Sequence, residues 1–415
     1  MGELSRALGI SRGLKWAIPG LLGYWACAAE AGPARIVTGP DAGGAPTLQA
    51  FTGQTHTVVG SIFAYSSGFT GGVRVACGDV NGDGGPDLIT GSGPGATHVK
   101  VFAGGGLQEV MSFFAYPLTF TGGIFVAAGD VDGDGFADIV TGPDQDAGPN
   151  VKVFSGATGA EIRSFFAYST GFTGGVRVAA GDVNGDGFAD IITATGVGGG
   201  PHVKVFSGVT GTEIYSFFAY APSFTGGVYV AAGDLNGDGR ADIVTTPGSG
   251  TSEVRAFNGA TGAQFISFSA YTPVITGGVR VAAGDVDGDG LAEILTVPGP
   301  GAGSQVRIFD SVTLAERDSF YAYTRSFSDG VFIGASSLVR PQLQIAALPT
   351  PGKLQLTWQA GFITQLQSAT QLGNPAGWTN VPTQPSQTGK QMKVPVTATQ
   401  PAEFFRLSYD EETTP

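Results

Sequence analysis

Cysteine and histidine are scarce in this sequence. Among 415 residues there are two cysteines and three histidines. Cys27 lies in an N-terminal segment that we expect to be removed, which leaves Cys77 alone and excludes an internal disulfide from the mature chain. The repeats described below carry alanine at the position of Cys77, so we interpret this residue as a small core side chain.

Positive charge and long apolar runs are scarce as well. The chain has 21 lysine and arginine residues against 34 aspartate and glutamate residues, so its formal net charge is −13. Nucleic acid binding needs a basic surface, and this composition argues against it. No stretch is long and apolar enough to predict a transmembrane segment.

The N-terminus has the organisation of an export signal. Arg6, Arg12 and Lys15 form a basic start, and a largely apolar stretch follows from Trp16 to Ala29. Patterns of small residues at the end of this stretch suit cleavage by a signal peptidase. We therefore predict a signal peptide at 1–31 and a mature protein that is secreted or displayed at the cell surface.

Glycine is abundant beside β-branched and aromatic residues. It occupies 69 positions, and 42% of all residues are hydrophobic. Short strands joined by tight turns are typical of this composition. Because no segment sustains the 3.6-residue apolar period of a helix, we predict an all-β fold.

An internal repeat of about 52 residues organises the chain. A tyrosine closes each repeat and a Gly-Val or Gly-Ile pair opens the next, and both markers occur six times. The closing tyrosines are Tyr65, Tyr116, Tyr168, Tyr220, Tyr271 and Tyr323. The unit from Val176 to Tyr220 contains four short strand patterns separated by turns, which is typical of a propeller blade.

We predict a six-bladed β-propeller of four-stranded blades over residues 32–340. Five complete units run from Val73 to Tyr323. The segment Arg35 to Tyr65 supplies three further strands, and Val331 to Ser337 supplies one. Pairing these two segments would complete a sixth blade, and this C-terminal strand would close the ring and remove exposed sheet edges. A linear solenoid is the alternative.

The pattern changes after the propeller. From about Pro341 the repeat markers vanish and Gln, Thr and Pro become more frequent. Alternating segments around Trp358 and Val394 indicate strands. We expect a small β-sandwich-like module at 341–410 and a disordered tail at 411–415.

The strongest local motif is an acidic loop, Asp-x-Asn/Asp-Gly-Asp-Gly-x-x-Asp/Glu, which occurs five times between the first and second strands of a unit. Positions one, three, five and nine offer side-chain oxygens, and position seven offers a backbone carbonyl. The candidate metal ligands are Asp79, Asn81, Asp83, Gly85, Asp87; Asp130, Asp132, Asp134, Phe136, Asp138; Asp182, Asn184, Asp186, Phe188, Asp190; Asp234, Asn236, Asp238, Arg240, Asp242; and Asp285, Asp287, Asp289, Leu291, Glu293.

Calcium is the metal that this donor set favours. Ca²⁺ takes six to eight oxygen ligands at flexible distances, whereas Mg²⁺ demands a stricter octahedron and Zn²⁺ prefers His or Cys. The loops hold 17 of the 34 carboxylates, and five Ca²⁺ ions would bring the formal charge from −13 to −3. We predict that about five Ca²⁺ ions bind these loops and stabilise the fold. The sixth unit carries Ser337 at the first ligand position, so we expect no calcium there. The alternative is that the loops are acidic turns alone.

These repeats resemble the FG-GAP repeats, also called VCBS-type repeats, of integrin α subunits and of bacterial exported proteins. The segments that carry the resemblance are Thr173 to Val176 and Asp190 to Thr193, with their equivalents in the other units. It implies calcium in the five loops on one propeller face and partner binding through the other. The sequence departs in having six apparent blades where integrins have seven, so no integrin-like ligand site is carried over.

A binding or scaffold function is favoured over catalysis. His98 and His202 occupy one equivalent strand position and have no orienting partner in the sequence pattern. We predict a monomeric, non-enzymatic protein that binds an extracellular protein or glycan. The alternative is an extracellular hydrolase or lyase that uses the propeller as a scaffold.

The phenylalanines of the Phe-Thr-Gly-Gly links between blades could serve partner binding. They are Phe69, Phe120, Phe172 and Phe224. They face the side opposite the acidic loops if the blades form as predicted. For most of them the favoured interpretation is packing between blades.

Overall fold

The structure is a computed structural model that describes residues 24–26, 34–337, 344–347, 353–359, 364–369, 379–383, 386–388, 391–397 and 403–409. The regular elements in these residues are β-strands, as predicted. Within them, no helix is long and apolar enough to cross a membrane. Most of the predicted signal peptide and the predicted tail at 411–415 lie outside the described residues.

Six four-stranded antiparallel sheets form the blades of a propeller. We number the blades 1 to 6 and their strands 1 to 4 from the axis outwards. Blade 1 has strands Val73–Gly78, Asp87–Ser92, His98–Phe102 and Glu109–Phe114; blade 2 has Ile124–Gly129, Asp138–Pro143, Asn150–Phe154 and Glu161–Phe166; blade 3 has Val176–Gly181, Asp190–Thr195, His202–Phe206 and Glu213–Phe218; blade 4 has Val228–Gly233, Asp242–Pro247, Glu253–Phe257 and Gln264–Ser269; blade 5 has Val279–Gly284, Glu293–Pro298, Gln305–Phe309 and Glu316–Tyr321; blade 6 has Val331–Ala335, Arg35–Pro40, Thr47–Thr52 and Val58–Phe63.

Blade 6 closes the ring with strands from both ends of the propeller. Val331–Ala335 pairs antiparallel with Arg35–Pro40, so that Val331 lies opposite Pro40 and Ala335 opposite Ile36. The backbone amide of Ser336 also donates to the carbonyl oxygen of Arg35 at 2.9 Å. The predicted closure is confirmed, and the solenoid alternative is wrong.

Burial explains why the strands differ in sequence. Every residue of the second strand is buried in blades 1 to 5, whereas the fourth strand of blades 1 to 3 has only exposed and half-buried residues. The core lies between blades: one cluster joins Ile192 and Val203 of blade 3 to Val228 and Ile243 of blade 4. Because each blade buries its faces against its neighbours, isolated blades would expose most of this apolar surface.

The closing tyrosines tie each blade to the next one. Each hydroxyl donates to the carbonyl oxygen at the start of the third strand in the following blade, at 2.7–3.0 Å. The pairs are Tyr65 with His98, Tyr116 with Asn150, Tyr168 with His202, Tyr220 with Glu253, Tyr271 with Gln305 and Tyr323 with Thr47. The last pair crosses the closure, so the contact occurs at all six junctions.

A second compact unit contains the remaining described strands. One sheet has the order Tyr24–Ala26, Glu403–Tyr409, Thr364–Ala369, Thr379–Asn380, and the other has Gln344–Ala347, Lys353–Gln359, Gln391–Thr397, Ser386–Thr388. Leu354, Leu356, Leu366, Val394 and Val396 are buried. Two four-stranded sheets agree with the sandwich-like module expected from the sequence, and one of them includes a strand from the predicted signal peptide.

A pair of truncations tests the closure. A chain that spans residues 34–330 lacks the closing strand, which buries Val331, Phe332 and Ile333. At about 1.5–3 kcal/mol for each buried side chain, it should lose about 5 kcal/mol or more. Its melting temperature should fall by roughly 10 °C or more relative to the control chain 34–337. Equal melting temperatures in differential scanning calorimetry would contradict a role for this strand in stability.

Candidate metal centres

The five acidic loops connect the first and second strands of blades 1 to 5, so they lie at one end of the propeller. The turns between the third and fourth strands are at the same end, as shown by the Gly104 amide, which donates to Asp87 Oδ1 at 3.2 Å. The opposite end carries the loops between the second and third strands and the links between blades. There the Gly95 amide donates to the carbonyl oxygen of Thr121 at 2.7 Å. We call these two ends the acidic face and the link face.

The loop of blade 3 shows how the motif folds. Asp182 Oδ1 accepts hydrogen bonds from the amides of Gly185 at 2.6 Å and Asp186 at 3.2 Å, and its Oδ2 accepts from Gly187 at 2.8 Å. Gly185 and Gly187 have φ values of +79° and +90°, which explains why the motif requires glycine at positions four and six. The first aspartate thereby wraps the chain around its own carboxylate.

The ninth position is the most enclosed part of the loop. Asp190 is fully buried, and its Oδ2 accepts from the amide of Val183 at 3.1 Å. Its Oδ1 accepts from the Gly208 amide in the neighbouring turn at 3.1 Å. The same two bonds occur for Asp87, Asp138 and Asp242. This carboxylate therefore joins the two loops of the acidic face in each of these blades.

Two loops bring three carboxylates together closely enough to share an ion. Oxygen atoms of Asp130, Asp132 and Asp138 lie within 4.8 Å of one another, as do those of Asp285, Asp287 and Asp289. In the loop of blade 1, Asp79 Oδ1 accepts from the amide of Gly82 at 2.7 Å, and Asp83 Oδ1 accepts from the amide of Gly85 at 2.8 Å.

The surroundings of the ninth-position carboxyls disfavour their ionised form. Burial and, to a smaller extent, neighbouring loop carboxylates raise the pKa of Asp138, Asp190 and Asp242 to about 6, although hydrogen bonds from backbone amides lower it. Burial and the carboxylates of Asp285 and Asp289 raise the pKa of Glu293 to about 8. A cation placed among these oxygens would offset both effects, because it favours the ionised form.

The loops of neighbouring blades are linked through the backbone. The amide at position eight of one loop donates to the carbonyl oxygen at position one of the loop before it, at 2.7–2.8 Å. The pairs are Ala137 with Asp79, Ala189 with Asp130, Ala241 with Asp182 and Ala292 with Asp234. At the end of the series the Asp285 amide donates to Ser337 Oγ at 3.1 Å. Ser337 thus takes part in this chain of loops at the place where the sixth motif would begin.

Comparisons with known proteins identify repeats in the sequence. A family model described as an FG-GAP-like repeat matches residues 79–141 and 234–296, and one described as an FG-GAP repeat matches residues 174–212. The chain carries FG-GAP repeats. No curated protein sequence matches it significantly. Among solved structures, a chain from a crystal structure titled as a nidogen/laminin complex is similar over 73% of this chain and 98% of its own length, with 11% identity and a TM-score of 0.48.

The FG-GAP loop of blade 5 has a basic residue that sequence reasoning missed. Arg317, on the fourth strand, pairs with Asp287 Oδ2, and its Nη1 lies 3.4 Å from Glu293 Oε1. The equivalent positions in the other FG-GAP repeats are apolar, for example Ile162 and Ile214. The only signal for this contact in the sequence is that Arg317 stands where the other repeats have an apolar residue.

The link phenylalanines behave as the packing interpretation predicts. Phe69, Phe120, Phe172 and Phe224 are half-buried, and their rings lie 5.2–5.9 Å from those of the closing tyrosines Tyr65, Tyr116, Tyr168 and Tyr220. Within residues 34–337, every exposed aromatic residue except Phe265 is instead at the last position of the fourth strand. Phe63, Phe114, Phe166, Phe218 and Tyr321 are 38–56% exposed. The prediction missed this set, which we call the rim aromatics, although the alternation along the fourth strand could have revealed it.

Polar groups accompany the rim aromatics. The His98 ring stacks on Phe114 with centroids 4.5 Å apart, and His98 Nε2 is hydrogen-bonded to Ser112 Oγ at 2.8 Å. His202 lies beside Phe218 at 5.0 Å. Burial lowers the pKa of both histidines, and the nearby lysines Lys100 and Lys204 lower it further. These imidazoles belong to the surface of the blade rather than to an acid–base pair.

Asp190→Asn tests the structural role of the ninth carboxylate. The substitution keeps the shape but turns one acceptor oxygen into a donor that faces backbone amides. In the presence of a calcium chelator it should lower the free energy of unfolding by roughly 1–3 kcal/mol. Asp186→Asn is the matched control, because Asp186 is exposed, and it should change stability by less than about 0.5 kcal/mol. Urea unfolding would measure both, and equal effects would refute the assignment.

Proposed function

We propose that the five acidic loops bind about five Ca²⁺ ions and that these ions stabilise the folded propeller. In each loop the side chains at positions one, three, five and nine and the carbonyl at position seven would hold the ion. The observation that carries this proposal is the burial of the ninth carboxylate beside other carboxylates. Ca²⁺ would supply the positive charge that this oxygen-only set lacks, and its ligand number suits the loop.

The five loops need not bind calcium with the same affinity. Arg317 already supplies positive charge to Asp287 and Glu293 in the loop of blade 5. Calcium must compete with this guanidinium, so the loop of blade 5 would be the weakest of the five. The loop of blade 2 combines a cluster of three carboxylates with an apolar position seven, Phe136, and would bind more tightly.

We further propose that the mature protein is secreted and binds an extracellular protein or glycan through the rim aromatics. Extracellular calcium would keep the loops occupied. The rim repeats one exposed arrangement around the propeller, with an aromatic ring beside serine and, in two blades, histidine. Exposed aromatic side chains with polar neighbours are enriched where proteins bind partners. Five such positions on one ring would allow several weak contacts to act together.

Calcium binding is tested by metal analysis and thermal unfolding together. The mature protein should contain about five Ca²⁺ ions per chain, and one should be removed more easily than the rest. Chelation should lower the melting temperature strongly, because ligands that bind only the folded state stabilise it by mass action. A calcium-free protein, or a melting temperature that does not respond to chelation, would mean that the loops are turns.

Partner binding is tested by removing three rim aromatics. The variant Phe114→Ser, Phe166→Ser, Phe218→Ser should lose at least tenfold in affinity for any ligand found on a glycan array or a panel of purified extracellular proteins. The control variant Val209→Ser, Val312→Ser removes exposed apolar side chains from turns on the acidic face and should bind normally. Loss of binding only in the control would place the partner on the acidic face.

A further inference from the structure

Arginine and aromatic residues alternate around the propeller axis. They occupy the second position of the first strand in each blade: Arg74, Phe125, Arg177, Tyr229, Arg280 and Phe332 in blades 1 to 6. The three aromatic rings form a triangle with centroids 6.2–6.3 Å apart. Each guanidinium carbon lies 4.4–5.5 Å from the centroids of two of these rings. The ring therefore has an approximate threefold pattern.

This ring borders the axial cavity. The cavity has a volume of about 120 Å³, and the rest of its lining comes from small and apolar residues of the six first strands. The three arginines are only 5–8% exposed, and the Nε atom of each has no hydrogen-bond partner. Buried positive charge of this kind is costly unless carboxylates or other anions compensate for it.

Two of the arginines are compensated in the same way. Arg74 Nη2 donates to Asp144 Oδ2 at 2.6 Å, and Asp144 Oδ1 accepts from the amide of Gln145 at 2.9 Å. Arg280 Nη2 donates to Asp41 Oδ2, and Asp41 Oδ1 accepts from the amide of Ala42 at 2.8 Å. Each carboxylate comes from the following blade, directly after its second strand. One oxygen binds arginine and the other binds the next backbone amide.

Arg177 lacks this carboxylate. The equivalent residue of the following blade is Gly248, after which comes Ser249. Arg177 Nη1 donates instead to the Thr195 carbonyl oxygen at 3.2 Å. The Gly248 amide donates to the Gly227 carbonyl oxygen at 2.7 Å, and a Cβ placed on Gly227 would clash with Arg177 Nη1. The Arg177 guanidinium therefore lies beside the segment at Gly248. The equivalent segments provide the carboxylates that bind Arg74 and Arg280.

Solvent reaches the segment beside Arg177, as it reaches the equivalent segments beside Arg74 and Arg280. Gly248, Ser249 and Tyr229 are half-exposed, whereas Phe125 and Phe332 are buried. Within residues 34–337 no acceptor binds the Ser249 amide, whose counterparts in Gln145 and Ala42 bind carboxylates. Burial raises the pKa of the Tyr229 hydroxyl, but the guanidinium groups of Arg280 and Arg177 and a hydrogen bond between Tyr229 and Arg177 outweigh it and lower the pKa. The local field thus favours negative charge at this position.

We propose that Arg177 and the amide of Ser249 bind the carboxylate of a small ligand at the link-face end of the axis. One oxygen would accept from the guanidinium and the other from the amide, as Asp144 and Asp41 do within the protein. A forked guanidinium with an adjacent amide matches the two oxygens of a carboxylate. The proposal does not depend on calcium or on the rim aromatics.

The test is the binding of acetate and D-glucuronate to the calcium-loaded full-length protein, measured by saturation-transfer NMR at constant ionic strength. Gly248→Asp supplies an internal carboxylate and should weaken acetate binding at least tenfold. A Cβ at position 248 would lie 2.5 Å from the Gly226 carbonyl oxygen, so this segment must shift locally in either variant, and Gly248→Ala controls for that shift. Gly248→Ala adds the same Cβ without the charge and should retain binding.

Two further variants separate charge from geometry. Arg177→Gln should abolish acetate binding, and Arg177→Lys, which keeps the charge but loses the fork, should weaken it about tenfold. Glucuronate binding that follows acetate in every variant would extend the site to sugar acids, whereas binding of acetate alone would limit it to smaller ligands. The proposal is overturned if the unaltered protein binds no acetate, if chloride competes equally well, or if Gly248→Asp binds as Gly248→Ala does.

Discussion

The structure depends on the contact between neighbouring blades more than on any blade alone. At every junction a buried tyrosine hydroxyl donates to the next blade, and Tyr323 does so across the closure to Thr47. The acidic loops show the same dependence at the other end of the propeller, because the first carbonyl oxygen of the loops in blades 1 to 4 accepts a hydrogen bond from the following loop. A blade is therefore held in place from both ends, and the stability of one repeat is inseparable from that of its neighbours.

The ninth carboxylate of each loop has a structural role and is also a proposed calcium ligand. Asp190 is buried, holds two loops together through backbone amides and still belongs to the proposed ligand set. Hydrogen bonds from amides stabilise its charge, but burial and neighbouring carboxylates oppose it. A protein that carries this conflict in four blades would be most stable where calcium is plentiful, which agrees with the proposed secretion.

The blades and loops could be predicted because they repeat along the sequence. Six tyrosine markers and five acidic motifs were enough for the blade number, the closure and the candidate ligands. The axial ring was missed for a different reason. Arg74, Arg177 and Arg280 are about 100 residues apart, and they become neighbours only when the ring closes. The same is true of Asp41 and Arg280, which come from opposite ends of the propeller.

The closing pair of strands also determines how the propeller would respond to tension. Arg35–Pro40 and Val331–Ala335 are antiparallel, and the chain enters the first strand and leaves the second at the same end, beside Ser336. A force that pulls residues 34 and 337 apart would load the Arg35–Ser336 hydrogen bonds first and the others one after another. The closing pair of strands would thus separate at low force, one hydrogen bond after another. The same strands resist heat because they are part of a cooperative ring.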